Sequence, residues 1–518
     1  SGSPDPLYPR YTTFPDEKIV ATQEISIDSA FFRYPYRVAV KDSIAVIMDL
    51  HNDSHYFYAF TYPEWKPIAP FGKRGEAPGE MLSAEMFQFS ALDSVWTLDA
   101  NRMLITRWSV SPTGKTVLRK EEIRLDKTLV RSLDFYRTDS AFLITDYFVI
   151  GGVGAAFINA GVLTLICIGI MYALDMNFDG HTITSTCLMF GFSLFGKNLL
   201  NIWMILLGVF LYAKYHKTTV KRYLYVGFYG TSLSPIVSQV MHIVNLPLPL
   251  RLLLCAATGI IIGFVLPPLS THVHYSHKGY SLYNVGFAGG IIATVIVSIL
   301  KSFGVTIESR LIWFTGQNQT FILLLSILFG TMIAYGILTD PMALEDYRSI
   351  LRSYGLGGTD YYKSEGGAAV MINMGVNGLA AMLFVVMVGG DLNGPTIGGI
   401  FTVVGFSATG KHLRNILPVM AGVLIASEAK SWSITDPSAI LALLLSTTLA
   451  PIAGEFGIIA GVIAGFLHSS VALNVGIVYG GMNLYNNGFA GGLVAMFLVP
   501  VIQSIRDRRA RARGGLSL

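Results

Sequence analysis

The segments "GYSLYNVGFAGG" (residues 279–290) and "GMNLYNNGFAGG" (residues 481–492) share nine of their twelve residues. Other pairs occur in the same order along the chain. "TDYFVIGGVGAAFINAG" begins at Thr145 and "TDYYKSEGGAAVMINMG" at Thr359, an offset of 214 residues. "GFSLFGKNLLNI" (residues 191–202) and "GFSATGKHLRNI" (residues 405–416) follow at the same offset. Because chance does not supply such an ordered series, the sequence predicts two homologous halves.

Both halves are rich in apolar stretches that are long enough to cross a lipid bilayer. The chain of 518 residues is 52% hydrophobic and only 14% charged, with a mean hydropathy of +0.53. A hydrocarbon core about 30 Å thick requires about 20 apolar residues in each helix. The composition therefore predicts a polytopic α-helical membrane protein with about 11–13 spans, some of them short or broken. A net charge of only +4 argues against a nucleic-acid partner.

The order of the predicted spans indicates how the halves are oriented. Spans A to F are expected at 148–174, 181–196, 199–215, 223–245, 250–271 and 282–302, and span G at 319–338 precedes the second set. Equivalent spans are thus seven apart, and an odd number predicts inverted repeats. Loop charge agrees, because the loop after span C carries four Lys and Arg residues and its counterpart carries only Lys430.

These patterns divide the chain into five regions. We expect an all-β region (1–144), a first repeat (145–305), a linker with one transmembrane helix (306–358), a second repeat (359–505) and a basic cytoplasmic tail (506–518). The predicted location is the inner membrane of a bacterium, with the N-terminal region outside the cytoplasm. The stretch 105–124, where the first half needs a counterpart of span G, is too polar to cross a bilayer.

The all-β region shows a repeat of its own. Asp-Ser pairs at residues 42, 93 and 139 each precede a further Asp, at spacings of 51 and 46 residues. Short alternating strands at this period are typical of β-propeller blades. Only two to three blades' worth of sequence is present, so the prediction is a partial propeller.

Two resemblances accompany these patterns. "FGKRGEAPGEM" (residues 71–81) followed by "VWTLDANRM" resembles the extracytoplasmic six-bladed β-propeller families of bacteria, over about residues 15–146. "LITDYFVIGGVGAAFINAG", "GFSLFGKNLLNIW" and "LYNVGFAGG" resemble an uncharacterised bacterial family of multi-pass membrane proteins, a domain of unknown function, over about residues 140–505. The second resemblance implies a membrane location and no particular substrate.

Polar residues at equivalent positions of the two halves are the candidate site residues. Intramembrane polar side chains often mark a translocation path, although Asn also serves as a bond between helices. The candidates for contact with a solute are Asn159, Asn373, Tyr283, Asn284, Tyr485, Asn486, Ser193 and Ser407. We expect Asn284 and Asn486 to begin broken helices whose two copies meet from opposite sides at the middle of the membrane.

Charged residues within apolar sequence supply further candidates. Glu455, with Gln239 as its neutral equivalent, is a candidate site for a coupling proton or Na⁺. Lys197 and Lys411, in the twin "GK" motifs, are expected to bind an anion or the carbonyl groups of a helix end. Asp179 and Asn393 precede Gly-x-Thr and are expected to be N-caps of spans B and B′.

The functional prediction is a secondary transporter of a small solute, with a site between inverted repeats and the lipid bilayer as its surroundings. Two alternatives remain open, namely a channel for a small neutral solute and a membrane sensor with a ligand-binding outer domain. No nucleotide-binding loop, catalytic triad or metal motif occurs, so no enzyme activity, cofactor or metal is expected. The sequence does not indicate an oligomeric state.

Overall fold

The computed structural model describes residues 32–33, 35–77, 79–84, 86–91, 94–99, 101–102, 104–124, 146–243, 247–303, 313–479, 482–484 and 486–512. The chain forms two compact units, Ser1–Ala141 and Phe142–Leu518. The predicted boundary at residue 144 and the third Asp-Ser pair, at residue 139, lie outside the described residues.

The first unit consists of two four-stranded antiparallel sheets. The first sheet has β1 (Pro35–Lys41), β2 (Ile44–Asp49), β3 (His55–Thr61) and β4 (Pro67–Lys73), in that order. The second has β5 (Met86–Ala91), β6 (Ser94–Asp99), β7 (Leu104–Ser111) and β8 (Thr116–Arg124), again in sequence order. Each sheet is a four-stranded meander like a propeller blade, which confirms the predicted small all-β partial propeller. The stretch 105–124 is thus a β-hairpin.

The repeated Asp of each blade has a structural role. Asp49 ends β2, and its carboxylate accepts hydrogen bonds from the backbone N–H groups of Arg33 (2.7 Å) and His51 (3.1 Å). Asp99 ends β6 and accepts from the N–H of Leu82 at 2.7 Å. The carboxylates therefore attach the chain segment that precedes each sheet, which explains why the same residue recurs at this point.

The second unit is helical. Its first repeat contains α1 (Tyr147–Ala173), α2 (Gly180–Ser193), α3 (Trp203–Tyr215), α4 (Leu224–Gly230), α5 (Ser234–Ile243), α6 (Leu248–His277) and α7 (Asn284–Ser302). The linker contains α8 (Asn318–Thr339) and also α9 (Ala343–Ile350), a short helix that the sequence did not predict. The second repeat contains α10 (Tyr361–Met387), α11 (Gly394–Phe406), α12 (Leu413–Ala429), α13 (Pro437–Leu445), α14 (Ala450–Phe456), α15 (Ile458–Val475) and α16 (Asn486–Ala512).

Within the described residues, eight helical segments are long and apolar enough to cross a membrane, and two shorter apolar helices are Trp203–Tyr215 and Gly394–Phe406. The prediction of a polytopic α-helical membrane protein is confirmed. Span D and its equivalent are broken near their middles by 3-10 turns, Thr231–Leu233 and Ser446–Leu449. These turns are called the first and second breaks below.

Equivalent helices of the two repeats share local details that follow from the duplicated sequence. Gly152 in α1 has φ 78° and ψ 162°, and its equivalent Gly366 in α10 has φ 82° and ψ 163°. A residue with a side chain rarely adopts this conformation, so glycine permits the same kink in both helices. Asp179 and Asn393 cap α2 and α11 through capping boxes, as predicted.

The equivalent helices α2 and α11 pack against each other in antiparallel fashion. The hydroxyl of Thr184, early in α2, donates to the carbonyl of Gly405, late in α11, at 2.8 Å. Further along α2, Gly191 lies against Gly398, so that a methyl group built on Gly398 would be 2.6 Å from the Gly191 carbonyl oxygen. Since Thr184 corresponds to Gly398 and Gly191 to Gly405, these contacts are related by an internal two-fold axis.

The starts of α1 and α10 lie at opposite ends of this helix pair. Asp146, the N-cap of α1, is next to Gly394 at the start of α11. Asp360, the N-cap of α10, accepts from the N–H of Gly180 at the start of α2, at 3.1 Å. We call these two ends of the second unit the α11 face and the α2 face. The equivalent helices α1 and α10 therefore start at opposite ends of the α2–α11 pair.

The equivalent helices α7 and α16 cross each other, and their contacts are also the same when the two repeats are exchanged. Gly290 packs against the ring of Phe489, and Gly492 packs against the ring of Phe287. The two phenylalanine rings are 5.8 Å apart between their centroids. The first turns of both helices thus contact each other, and their predicted position at the middle of the membrane stays a prediction.

Candidate functional site

The side chain of Lys411 is completely buried between the two repeats. Its ammonium group donates to the hydroxyl of Tyr283, which precedes α7 of the first repeat, and to Thr447 Oγ1 in the second break, the latter at 2.8 Å. The nitrogen also lies 4.4 Å from the ring centroid of Tyr283 and 5.2 Å from that of Phe406. We call Lys411, Tyr283 and Thr447 the lysine site. The lysine site thus brings together the loop before α7 from the first repeat with the second break and the end of α11 from the second repeat.

Lys197, the equivalent of Lys411, is also completely buried but has different contacts. Its ammonium group donates to the carbonyl of Phe228 at 3.2 Å and lies 3.5 Å from the sulfur of Met189. Tyr485, the equivalent of Tyr283, lies outside the described residues. The position is therefore shared between the repeats, while the chemistry around the ammonium group is not.

Asn159 and Asn373, whose contact with a solute stays a prediction, hold the backbone that carries the two lysines. Asn373 donates from Nδ2 to the carbonyls of Ser407 and Lys411, each at 2.7 Å. Asn159 makes the same pair of bonds in the first repeat, to the carbonyls of residues 193 and 197 at 2.7 and 2.9 Å. These amides satisfy carbonyl groups at the ends of α11 and α2, which is the role of a bond between helices.

Beside Asn373, the second repeat has a polar residue that the sequence did not identify as a candidate. Asn377 lies one helical turn after Asn373 and donates from Nδ2 to the hydroxyl of Ser407 at 2.7 Å. Its equivalent in the first repeat is Leu163, and there the buried hydroxyl of Ser193 has no partner among the described residues. A position-by-position comparison of the two halves could have identified this asymmetry.

The duplicated Tyr-Asn segments attach to the helix breaks of the opposite repeat. The N–H of Leu282 donates to the Thr448 carbonyl in the second break at 3.0 Å. In the same way, the N–H of Leu484 donates to the Ser232 carbonyl in the first break at 3.2 Å. Tyr283 adds a bond from its N–H to the hydroxyl of Thr448, at 3.0 Å. A broken helix exposes backbone carbonyls, and each segment satisfies one of them in the other repeat.

Asn284 and Asn486 begin α7 and α16, as predicted, but their side chains bind within their own repeats. Asn284 donates to the carbonyl of Ser270 in α6 at 2.7 Å, and Asn486 donates to the carbonyl of Ala472 in α15 at 3.0 Å. Where the two segments meet, Phe287 and Phe489 form the contact. The crossing also contains a polar contact, from Asn483 Nδ2 to the carbonyl of Gly286 at 3.4 Å.

Glu455 lies at the end of α14, near the α2 face. Its carboxylate accepts from the hydroxyl of Tyr280 at 2.6 Å and lies 3.4 Å from the guanidinium of Arg506 in α16. Burial, followed by this bond to the carboxylate, raises the pKa of the Tyr280 phenol to about 12. Glu455 thus connects α14, α16 and the loop before α7. Its ion-coupling role, and the role of the partly buried Gln239, stay predictions.

An ion pair joins the repeats at the α2 face. The ammonium group of Lys363 lies 2.9 Å from the carboxylate of Asp179 and 3.2 Å from that of Asp360. The equivalent of Lys363 at the α11 face is Val149, and the equivalent of Asp179 is Asn393. The α11 face therefore lacks the residues that would form the same ion pair.

Comparison with known proteins gives matches for both units. Residues 13–152 match a family model described as TolB-like 6-blade propeller-like. Residues 126–302 and 339–504 match a model described as protein of unknown function (DUF1576), and together these segments make up more than half of the chain. No curated protein and no solved structure matches the chain. The chain therefore belongs to the DUF1576 family of proteins of unknown function.

Proposed function

We propose that the second unit is a secondary transporter of a small solute that works by alternating access between inverted repeats. The observation that carries this proposal is the antiparallel packing of the equivalent helices α2 and α11, whose contacts are the same when the two repeats are exchanged. Such a frame can open to either side by exchanging the conformations of its two halves. The helix breaks and their backbone carbonyls, buried between the repeats, are a second property of transporter cores.

The charges of the loops suggest which face is cytoplasmic. The loop between α3 and α4 lies at the α2 face, because Lys221 donates to the carbonyl of Asp175 at 3.0 Å, just before α2. Lys214 lies in the last turn of α3, and this loop adds Lys217, Lys221 and Arg222. Since Lys and Arg favour the cytoplasmic side, we assign the α2 face to the cytoplasm of a bacterium and the α11 face to the outside.

Alternating access requires the contacts between repeats to rearrange. At the α2 face these contacts include the Lys363–Asp179 ion pair and the bond from Gly180 to Asp360. Both join α2 of the first repeat to the start of α10 of the second, so a path on this side opens only when they separate. The conformation described here, with these contacts formed, is in our proposal closed at the α2 face.

Counterflow in proteoliposomes tests the proposal. The full chain is reconstituted, loaded with an unlabelled solute and exposed to a trace of the labelled solute, for a panel of small anions and small neutral molecules. A carrier gives transient accumulation of the label, with a rate that saturates. A flux that rises linearly with concentration would favour the channel. A panel that gives no flux above empty liposomes would reject transport of these solute classes.

A further inference from the structure

We propose that the lysine site binds a small monovalent anion and that this anion is the solute carried. The claim that the anion is transported rests on the proposed function, whereas the claim that it binds here rests on the contacts of the lysine site. Lys411 and Thr447 belong to the second repeat and Tyr283 to the first, so an anion bound here contacts both halves.

The first argument is charge. Lys411 is fully buried, and among the described residues no carboxylate lies within 4.0 Å of its nitrogen. Its partners are two neutral hydroxyl groups and two aromatic rings. An unpaired buried charge costs several kcal/mol, and proteins normally compensate it with an opposite charge. A bound anion supplies the opposite charge that the described part of the chain does not.

The second argument is the number of donors. An ammonium group has three N–H donors, and the described residues accept two of them, at Tyr283 and Thr447. The hydroxyl of Thr447 donates its own proton to the carbonyl of Leu444 at 2.6 Å, which fixes this oxygen as an acceptor for the lysine. One N–H of Lys411 therefore has no acceptor among the described residues. A negatively charged oxygen of a bound oxyanion would accept this N–H.

The third argument is size and valence. One ammonium group neutralises one negative charge, so a divalent anion would leave an uncompensated charge in a buried place. Tyr283, Phe406 and Thr447 around the nitrogen are themselves buried or nearly so. This surrounding favours an anion of a few atoms, such as a short carboxylate or nitrate, over a bulky organic acid.

The comparison with Lys197 explains why the inference concerns one lysine and not both. The nearest oxygen to the Lys197 ammonium is the backbone carbonyl of Phe228, which cannot rotate its negative end away. In the lysine site the accepting oxygens belong to side-chain hydroxyl groups, and a side chain can move away from an arriving anion without a change in the backbone. Lys197 is thus a matched control that has the same burial and the same position in its repeat.

The test uses the full chain in lipid nanodiscs, with sodium acetate or sodium nitrate titrated against sodium gluconate at constant ionic strength. The shift of the thermal unfolding midpoint gives an apparent Kd. We expect Lys411→Met to weaken binding by roughly 100-fold and Tyr283→Phe by about 5-fold, as a charge-assisted and a neutral hydrogen bond are lost. Lys197→Met is expected to stay within about twofold of the parent.

The Tyr283→Phe variant, which removes one oxygen and keeps the ring, gives the answer if Lys411→Met does not fold. Equal affinity in the parent and both site variants, or no saturable shift with either anion, would overturn the site. Binding that depends on Lys411 without anion flux in proteoliposomes would keep the site and reject transport. Saturable flux of a neutral probe such as urea, unchanged by Lys411→Met, would keep transport and overturn the anion.

Discussion

The crossing of α2 and α11 predicts a specific response to one added methyl group. Gly398 lies where α11 packs on α2, and a Cβ atom there would be 2.6 Å from the carbonyl oxygen of Gly191 and closer still to Cε1 of the Phe195 ring, both in the other repeat. Contacts of this kind are ordinary only beyond 3.4 Å. Because the Gly191 oxygen is part of the backbone and cannot turn away, the Gly398→Ala variant must move the two backbones apart by about 0.8 Å.

The magnitude follows from two opposing effects. Overpacking of a close helix contact costs about 1–3 kcal/mol. Replacing glycine by alanine within a helix returns up to about 1 kcal/mol through lower backbone entropy in the unfolded state. We therefore expect Gly398→Ala to lower the free energy of unfolding by about 1–2 kcal/mol.

Gly330, in α8, supplies the matched control. A methyl group built on Gly330 meets no atom within 4 Å, so Gly330→Ala carries the helix-propensity gain without the steric cost. The measurement is the unfolding midpoint of each purified variant in one detergent, followed by solute uptake. Gly398→Ala is expected to unfold at a lower temperature than the parent, and Gly330→Ala at the same or a higher temperature.

The relative stability of Gly398→Ala and Gly330→Ala tests whether α2 and α11 are in contact at Gly398. If Gly398→Ala were as stable as Gly330→Ala, the two helices would not be in contact at this point. The internal two-fold axis inferred from this contact would then lose its main support. A variant that is less stable but takes up solute normally would keep the packing and show that this crossing stays fixed during transport.

Three further predictions concern charge and orientation. Burial raises the pKa of Asp146 from 3.8 to about 6, so its ionised form destabilises the fold, and stability is lost as pH rises through 6. Asp146→Asn should remove up to about 3 kcal/mol of this loss between about pH 4 and pH 7, measured as the difference between the two pH profiles of unfolding. Glu455→Gln should lower the free energy of unfolding by about 1 kcal/mol, because it weakens the bond from Tyr280 and removes an ion pair with α16. If this variant leaves the Na⁺ and proton dependence of uptake unchanged, the predicted coupling role is wrong. Cysteines placed at Lys217 and at Ser431, in equivalent loops, should react with an impermeant thiol reagent from opposite sides of the membrane, and labelling from one side would contradict the inverted arrangement.

Much of the fold could be predicted because a duplicated sequence supplies its own alignment. The predicted spans A, B and F begin within two residues of α1, α2 and α7. The kinks at Gly152 and Gly366 were not predicted, because a glycine in an apolar run indicates close packing as readily as a positive φ. The short α9 was missed for a different reason, since its polar residues read as a loop.

The candidate residues show where sequence reasoning is weaker. The equivalence of Asn159 with Asn373 and of Lys197 with Lys411 was visible in the sequence. Whether an amide binds a solute or a carbonyl depends on the path of the chain several turns away. Asn373 donates to two carbonyls 34 and 38 residues further along, a pairing that no local pattern indicates. Tyr283, one partner of Lys411, lies in the other repeat, 128 residues away, and the spacing of residues in the sequence does not predict this contact.

Equivalent positions in the two repeats fall into two groups. Some make the same contacts in both repeats, and others differ in residue and in contacts. The bonds that Asn159 and Asn373 make to helix ends are present in both repeats, so they belong to the frame. Two identical halves would give an outward and an inward conformation of equal energy, because exchanging the halves would convert one into the other. Any preference must come from residues that differ between the halves. The Lys363–Asp179 pair exists at the α2 face and not at the α11 face, so in the proposed alternating-access cycle it would favour closure on the α2 side until a bound solute offsets its energy.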